Sequence, residues 1–209
     1  MKNRSVVGSL AAAALLFAVP ALAQVEAQEV GTKLHYNPAE AQVGLDVRVG
    51  LGGLTGAAGE YTGTGPLLGI AADAQVWPAL GVEVGYEGQR IPIDESLIGS
   101  SGEGLYRHNL GLMAKAGPLI NDKWRPFVGA GLGLSYINPT DGADFLYKND
   151  IVEELPLAAG VDYNFGTIFA GARASYRLMF GESFAEDVRP GLDNSGNLFN
   201  ANITLGGRF

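Results

Sequence analysis

Glycine occupies every second position within the segment FVGAGLGLSY, residues 127–136. Gly129, Gly131 and Gly133 could form a phosphate-binding loop, in which glycines let backbone N–H groups approach a nucleotide. Such a loop needs its glycines in a turn that opens a helix. Here they alternate with apolar side chains, and Asn138-Pro139 begins a polar stretch instead of a helix. The period of two predicts a β-strand with one glycine-lined face and argues against nucleotide chemistry.

The charge balance and the absence of cysteine exclude other kinds of chemistry. The 209 residues include 14 basic and 22 acidic side chains, with a formal net charge of −8. Neutralising nucleic-acid phosphates requires clustered lysine and arginine, so no nucleic-acid partner is expected. A chain without cysteine has no disulfides and no thiolate metal sites. No spacing typical of a metal site, a cofactor site or a catalytic group is present, so no residue is assigned to one.

Residues 1–23 have the features of a secretory signal peptide. Two basic residues precede an apolar stretch at 6–19, and Ala21-Leu22-Ala23 fits a signal-peptidase site. The apolar stretch is too short to cross a hydrocarbon core of about 30 Å. Cleavage is therefore expected before Gln24. The polar segment 24–40 that follows is expected to lie in the periplasm.

Beyond residue 40, apolar side chains alternate with polar or very small ones, which is the period of a β-strand. No run of 18 apolar residues follows the signal peptide, so no transmembrane helix is expected. The connections between the alternating segments are long and short in turn, as in an up-and-down barrel with one elaborated end. The eight segments are 43–52, 68–76, 80–87, 106–116, 128–136, 154–165, 168–180 and 199–209.

One face of each segment is apolar and the other carries nearly balanced charge. A soluble barrel places its apolar face inward, whereas an outer-membrane barrel places it outward. The polar face is rich in glycine and alanine, which leave room for long arginines in a narrow lumen. Confined charges must be paired, and we expect Arg48 opposite Asp73 and Glu87 close to Arg107. The predicted lumen ion pairs involve Asp46, Arg48, Asp73, Glu83, Glu87, Arg107, Lys115, Asp162, Arg173 and Arg177, and Glu154 lies on the same face.

Aromatic side chains lie on the apolar face near the strand ends, as in the two interfacial belts of membrane barrels. The predicted belt residues are Tyr86, Tyr106, Tyr136, Tyr176, Phe180 and Phe199 at the long-loop end and Phe165 at the other. The apolar face is therefore expected to contact lipid. The predicted fold of residues 41–209 is all-β, an eight-stranded antiparallel up-and-down transmembrane β-barrel.

Three segments resemble a known family: residues 124–136 (WRPFVGAGLGLSY), residues 80–88 (LGVEVGYEG) and the terminal ITLGGRF. They resemble the small outer-membrane β-barrel domain family, which includes OmpA- and OmpX-type barrels. The resemblance implies a location in the bacterial outer membrane, contact with its lipids and lipopolysaccharide, and assembly by the barrel-insertion machinery. That machinery reads a last strand of alternating apolar residues that ends in an aromatic. Ile203, Leu205 and Phe209 fit this insertion signal, whereas Gly207 departs from it.

Three functions suit such a barrel. The first, which we expect, is a structural or cell-surface interaction role for a monomer whose lumen is filled by paired charges and whose surface partner the sequence leaves open. The second is a narrow channel for small solutes. The third is a lipid-A-modifying enzyme with His108 as the base. The barrel deacylases that suggest this function have a serine two residues after the histidine, whereas this sequence has Leu110. No enzyme activity and no cofactor are expected. Four acidic loops are expected outside the cell, with Glu95, Glu103, Asp141, Asp144, Asp150, Glu182, Glu186, Asp187 and Asp193.

Overall fold

The computed structural model describes residues 43–99, 101–181 and 196–209. The predicted signal peptide and the polar segment 24–40 lie outside the described residues. The same is true of Glu182, Glu186, Asp187 and Asp193, the acidic residues of the fourth long loop.

The described chain contains eight strands that close into a barrel. Each strand pairs antiparallel with the next along the chain, and the last pairs with the first. This arrangement confirms the predicted eight-stranded antiparallel up-and-down barrel. The strands are β1 Val43–Gly56, β2 Gly65–Trp77, β3 Leu80–Pro92, β4 Gly104–Ala116, β5 Trp124–Pro139, β6 Asp150–Asn164, β7 Ile168–Phe180 and β8 Gly196–Arg208.

The strands extend farther toward the long-loop end than the alternating segments of the sequence do. The β3–β4 ladder continues to the pair Pro92–Gly104, and the β5–β6 ladder continues to Ile137–Asp150. Ladder hydrogen bonds join backbone groups, so pairing continues where the side-chain pattern changes. At this end the inward-facing residues become apolar.

Two short helical segments lie in the long loops of the described chain: a 3₁₀ turn, Ala57–Gly59, and an α-helix, α1, Glu95–Ile98. The Asp94 carboxylate caps α1 by accepting a hydrogen bond from the Ser96 backbone N–H at 2.8 Å, which lowers the pKa of Asp94 below its usual value. Neither segment is long and apolar enough to cross a membrane.

The alternate glycines of β5 bring its backbone against neighbouring strands on the lumen side. Gly131 lies opposite Met113 of β4. A Cβ atom added at Gly131 would lie 2.1 Å from the carbonyl oxygen of Leu112. Because that oxygen belongs to the backbone, a side chain at 131 can be accommodated only by moving the sheet.

We expect Gly131→Ala to destabilise the barrel by about 1–3 kcal/mol through this overpacking. The measurement is the urea midpoint of the protein refolded into lipid vesicles and followed by tryptophan fluorescence. Gly81→Ala is the matched control, because a Cβ atom at this lumen-facing strand glycine would meet nothing closer than the Ala74 carbonyl oxygen at 3.5 Å. Equal midpoints for the two variants would contradict the close-packing argument.

Candidate functional site

The centre of the lumen holds an ion-pair network around Arg107, a fully buried residue of β4. Its Nε and Nη2 donate to the two Glu154 carboxylate oxygens at 2.7 and 2.5 Å, and its Nη1 donates to Glu87 Oε1 at 2.9 Å. Arg177 approaches the same two carboxylates at 3.1 Å each. Two guanidinium groups thus neutralise two carboxylates inside the barrel.

Neutral side chains add further hydrogen bonds to this central network. Asn109 Nδ2 donates to Ser135 Oγ at 3.0 Å and to Glu154 Oε2 at 3.2 Å, while Ser135 Oγ donates to Glu154 Oε1 at 2.5 Å. Asn200 Nδ2 donates to Glu87 Oε1 at 3.0 Å. These three neutral residues were not among the predicted site residues, although their inward strand positions could have identified them.

A second network, nearer the short-turn end, surrounds Glu83 of β3. Arg173 binds both of its carboxylate oxygens, at 2.9 and 2.8 Å. Arg48 and Lys115 each reach Oε2 at 2.8 Å, and Arg48 Nε also donates to Asp46 Oδ1 at 2.7 Å. Three cations therefore converge on one buried carboxylate, and Asp46 supplies a second negative charge.

The expected pairing of Arg48 with Asp73 is wrong. In the β1–β2 register, Arg48 lies opposite Gly69 and Asp73 lies opposite Gly44. β1 stops pairing with β2 at Gly52, four residues before the strand ends, so counting inward from the loop misplaces the register. The Asp73 side chain is buried, and its Oδ1 has no hydrogen-bond partner among the described residues.

Asp73 and Asp162 line a small cavity near the short-turn end, together with Lys115 and Arg125. The cavity measures about 10 Å³, which is at the lower limit for a single water molecule. Arg125 also donates a hydrogen bond to Gln75. This end of the lumen therefore carries charge of both signs around very little free space.

Two phenylalanines also point into the lumen, which the sequence pattern did not indicate. Phe127 is buried with Lys115 Nζ 5.5 Å and Arg173 Cζ 5.2 Å from its ring centroid. Phe169 is buried with Arg208 Cζ at 4.7 Å. Cations stacked on aromatic faces gain electrostatic stabilisation without a carboxylate.

Apolar side chains fill the lumen at the long-loop end, where the inward face of the strands changes from polar to apolar. This outer apolar cluster combines strand residues with loop residues that fold over them. Its buried members are Leu54, Ala58, Ile91, Ile93, Leu105, Ile137, Ala143, Tyr147, Val152, Met179 and Leu198. The central ion network lies next to this cluster, on the side toward the short turns. On the inward face of β4, Leu105 precedes Arg107 by two residues, and on the inward face of β5, Ile137 follows Ser135 by two residues.

Residues 140–149, the outer cap, connect β5 to β6 and close over this cluster. Thr140 anchors the segment by accepting from the Gly104 backbone N–H at 3.1 Å and by donating to Glu103. Ala143 and Tyr147 are 0% and 2% exposed. Burial raises the pKa of Tyr147 to about 12. In contrast, Phe145 between them is 61% exposed.

The outward face of the barrel is apolar and exposed over most of its surface. Among the predicted belt residues, exposure ranges from 38% for Tyr176 to 67% for Phe165. Ile203, Leu205 and Phe209 are also exposed on this face. The seven belt residues found exposed are Tyr86, Tyr106, Tyr136, Phe165, Tyr176, Phe180 and Phe199.

His108 lies on the outward face, where its Nδ1 is 2.6 Å from the hydroxyl oxygen of Tyr86. Its neighbours across the ladder are Gly88 and Tyr136. None of these is the serine that the deacylase hypothesis requires. Within the described residues, no group of three or more His, Asp or Glu side chains is placed to hold a metal ion.

Replacing Arg107 with methionine should destabilise the barrel by about 3–5 kcal/mol, because it leaves buried carboxylates without their main partner. The urea midpoint in lipid vesicles measures the loss. Adding Glu154→Gln to Arg107→Met should restore part of the stability, because it removes one of the uncompensated charges. Lys123→Met, in the exposed turn between β4 and β5, controls for loss of one positive charge. An Arg107→Met variant as stable as this control would contradict the network's role.

Comparisons with solved structures place this fold among small outer-membrane barrels. Neisserial surface protein A is 14% identical, with a TM-score of 0.58 over 80% of this chain and 97% of that chain. OprG from Pseudomonas aeruginosa is 11% identical, with a TM-score of 0.50 over 81% and 97%. Ail, the attachment invasion locus protein of Yersinia pestis, is 14% identical, with a TM-score of 0.48 over 81% and 99%. At these identities the likeness concerns the fold alone.

A comparison with curated protein sequences gives no match. The sequence does match the family described as "Outer membrane protein beta-barrel domain" over residues 9–209. The match covers nearly the whole chain and agrees with the closed eight-stranded barrel. The chain therefore belongs to the outer membrane protein β-barrel domain family and is located in the bacterial outer membrane.

Proposed function

We propose that this protein is a non-enzymatic, non-conducting barrel that holds a rigid loop surface outside the cell for a surface partner. The observation that carries the proposal is the outer cap, in which Ala143 and Tyr147 are buried over the apolar cluster. In the proposed orientation, the long-loop end faces outward and the short turns face the periplasm. The belt residues lie at the two membrane interfaces, and the chain is a monomer inserted through its last strand.

The filling of the lumen favours this role over a narrow channel. A solute crossing the barrel would have to separate the Arg107 pairs with Glu87 and Glu154, and then displace the outer apolar cluster. Separating buried ion pairs leaves uncompensated charge, which costs several kcal/mol. The small cavity near Asp73 offers no continuous path.

The outer cap supports a role in binding. Phe145 is exposed in a segment that is anchored on both sides by the buried residues Ala143 and Tyr147, so the backbone that carries the ring is held in place before binding. Pre-organised aromatic side chains are frequent energetic centres of protein interfaces. Asp141 and Asp144 are exposed beside it. We therefore propose a partner with an apolar pocket and a basic rim, since complementary charge favours encounter.

Planar-bilayer recording tests the non-conducting part of the proposal. The purified protein should give no stable large conductance steps at neutral pH, because the central ion pairs and the apolar cluster block the lumen. A general porin recorded under the same conditions is the positive control. Reproducible large steps from the folded monomer would favour the channel instead.

The surface role is tested with bacteria that display the protein and adhere to an epithelial cell monolayer. Phe145→Ala should reduce protein-dependent adhesion several-fold at equal surface display, because it removes the exposed ring. Ile120→Ala is the matched control, since Ile120 is 45% exposed in a turn at the opposite end of the barrel. Adhesion of the Phe145→Ala bacteria equal to that of the wild type would refute the proposed binding role of the cap.

A further inference from the structure

A polar patch interrupts the apolar outward face near the long-loop end. We call it the rim patch, and it consists of Tyr86, Gly88 and Arg90 of β3 with Tyr106 and His108 of β4. Gly88 pairs with His108 across the ladder, and Arg90 pairs with Tyr106 on the next outward rung. Arg90 and His108 are thus diagonal neighbours, about 7–8 Å apart between Cα atoms.

Tyr86 fixes the orientation of the His108 ring. Its hydroxyl lies 2.6 Å from His108 Nδ1, and the two rings stack with centroids 6.1 Å apart. The phenol reaches His108 across Gly88, where an added Cβ would lie 3.6 Å from the hydroxyl oxygen. When the Tyr86 hydroxyl donates to Nδ1, the hydrogen of the neutral His108 ring resides on Nε2. Protonated histidine also donates from Nε2, so this nitrogen is a donor in both states.

Arg90 supplies a permanent positive charge to the rim patch. Its guanidinium donates through Nη2 to the carbonyl oxygen of Gly102, which holds the group near the rim. A guanidinium has five N–H donors, and this bond uses one of them. Arginine forks match the oxygens of a phosphate group, and charge-assisted bonds of this kind are about twice as strong as neutral ones. Arg90 and His108 Nε2 thus place hydrogen-bond donors on the outward face of the barrel, although the net charge of the chain is −8.

The depth of the rim patch indicates what it contacts. The next outward-facing residue pair toward the short turns is Leu110 of β4 opposite Leu134 of β5. These two side chains are 63% and 57% exposed. Tyr136 lies beside His108 on the rung of the patch. Apolar side chains followed by tyrosines mark the change from acyl chains to headgroups in membrane barrels. Donors at this depth meet lipid headgroups.

We propose that the rim patch binds the phosphate group of an outer-leaflet lipid, with Arg90 and His108 Nε2 as donors and Tyr86 as the positioning residue. The acyl chains of this lipid lie against Leu110 and Leu134. The assignment to the outer leaflet rests on the orientation given under the proposed function. The assignment to a phosphate group does not rest on that orientation, because it follows from the donors of the patch.

The test uses the full-length folded protein in phosphatidylcholine nanodiscs, with bisphosphorylated lipid A added and bound lipids counted by native mass spectrometry. We expect at least about tenfold weaker retention of lipid A in Arg90→Gln, which removes the charge and the fork of the guanidinium, and in His108→Phe, which keeps an aromatic ring but has no N–H donor. Lipid A stripped of its phosphates should bind the wild type as weakly as the variants bind the intact lipid. Tyr86→Phe should have a smaller effect, because the stacked ring remains.

Lys123→Gln is the matched control, because it removes one exposed positive charge at the opposite end of the barrel. Equal retention of the phosphorylated and stripped lipids, or wild-type retention by Arg90→Gln and His108→Phe, would overturn the proposal. A loss in Lys123→Gln equal to that in Arg90→Gln would also overturn it. Competition by inorganic phosphate at equal concentration would show that the site reads phosphate without the lipid, and would refute the lipid assignment.

The two proposals fail separately. Folding of each variant is checked by its heat-modifiable mobility in gels, which separates loss of the site from loss of the barrel. The nanodisc measurement does not depend on which side of the membrane the loops face. Adhesion unaffected by Phe145→Ala would refute the surface role while leaving the phosphate site intact.

Discussion

In hydrocarbon, no water is present to satisfy backbone N–H and C=O groups, so a sheet that crosses the membrane must have no free edge. In this protein the β1–β8 ladder meets that requirement, with an unbroken register from Gly44–Arg208 to Gly56–Gly196. Closure with eight strands also determines the interior, because a barrel of this size is just wide enough for side chains. Every charge on the inward faces must therefore find its partner within the same narrow space.

Most charged side chains of the lumen are paired, by different means at different depths, whereas Asp73 Oδ1 has no hydrogen-bond partner among the described residues. At the centre, carboxylates and guanidinium groups balance one another, and neutral amides and a hydroxyl donate further hydrogen bonds. Nearer the short turns, several cations share Glu83, and the rings of Phe127 and Phe169 stabilise the cations stacked on them. At the long-loop end, charge is absent from the cluster and apolar packing takes over. Glycines such as Gly131 leave the room that these side chains occupy.

The sequence was sufficient for the strand number, the closed fold and the direction of each face, because alternation with a period of two persists over most of every strand. The sequence was insufficient for predicting which side chains of the lumen pair with each other. The Arg48–Asp73 pairing was wrong because register depends on where each ladder ends, and the loop between β1 and β2 is asymmetric. The outer cluster was not predicted because Leu54, Ile91 and Leu105 fall where the inward face changes from polar to apolar. Phe145 carried no signal, since its exposure depends on how the outer cap folds.

The length of the strands has a further consequence. They contain 13–16 residues, whereas about 9–11 are enough to cross the hydrocarbon. With a rise of about 3.4 Å per residue, the surplus acts as a pedestal that raises the loops above the headgroups in the proposed orientation. In this outer part of the barrel the apolar cluster lies inside the same hydrogen-bond ladders that continue from the part below. Because side chains alternate faces, adding or removing one residue in a strand would turn the inward side chains outward. The height of this pedestal can therefore change without altering the lumen or the lipid-facing surface only when residues are added or removed two at a time in every strand.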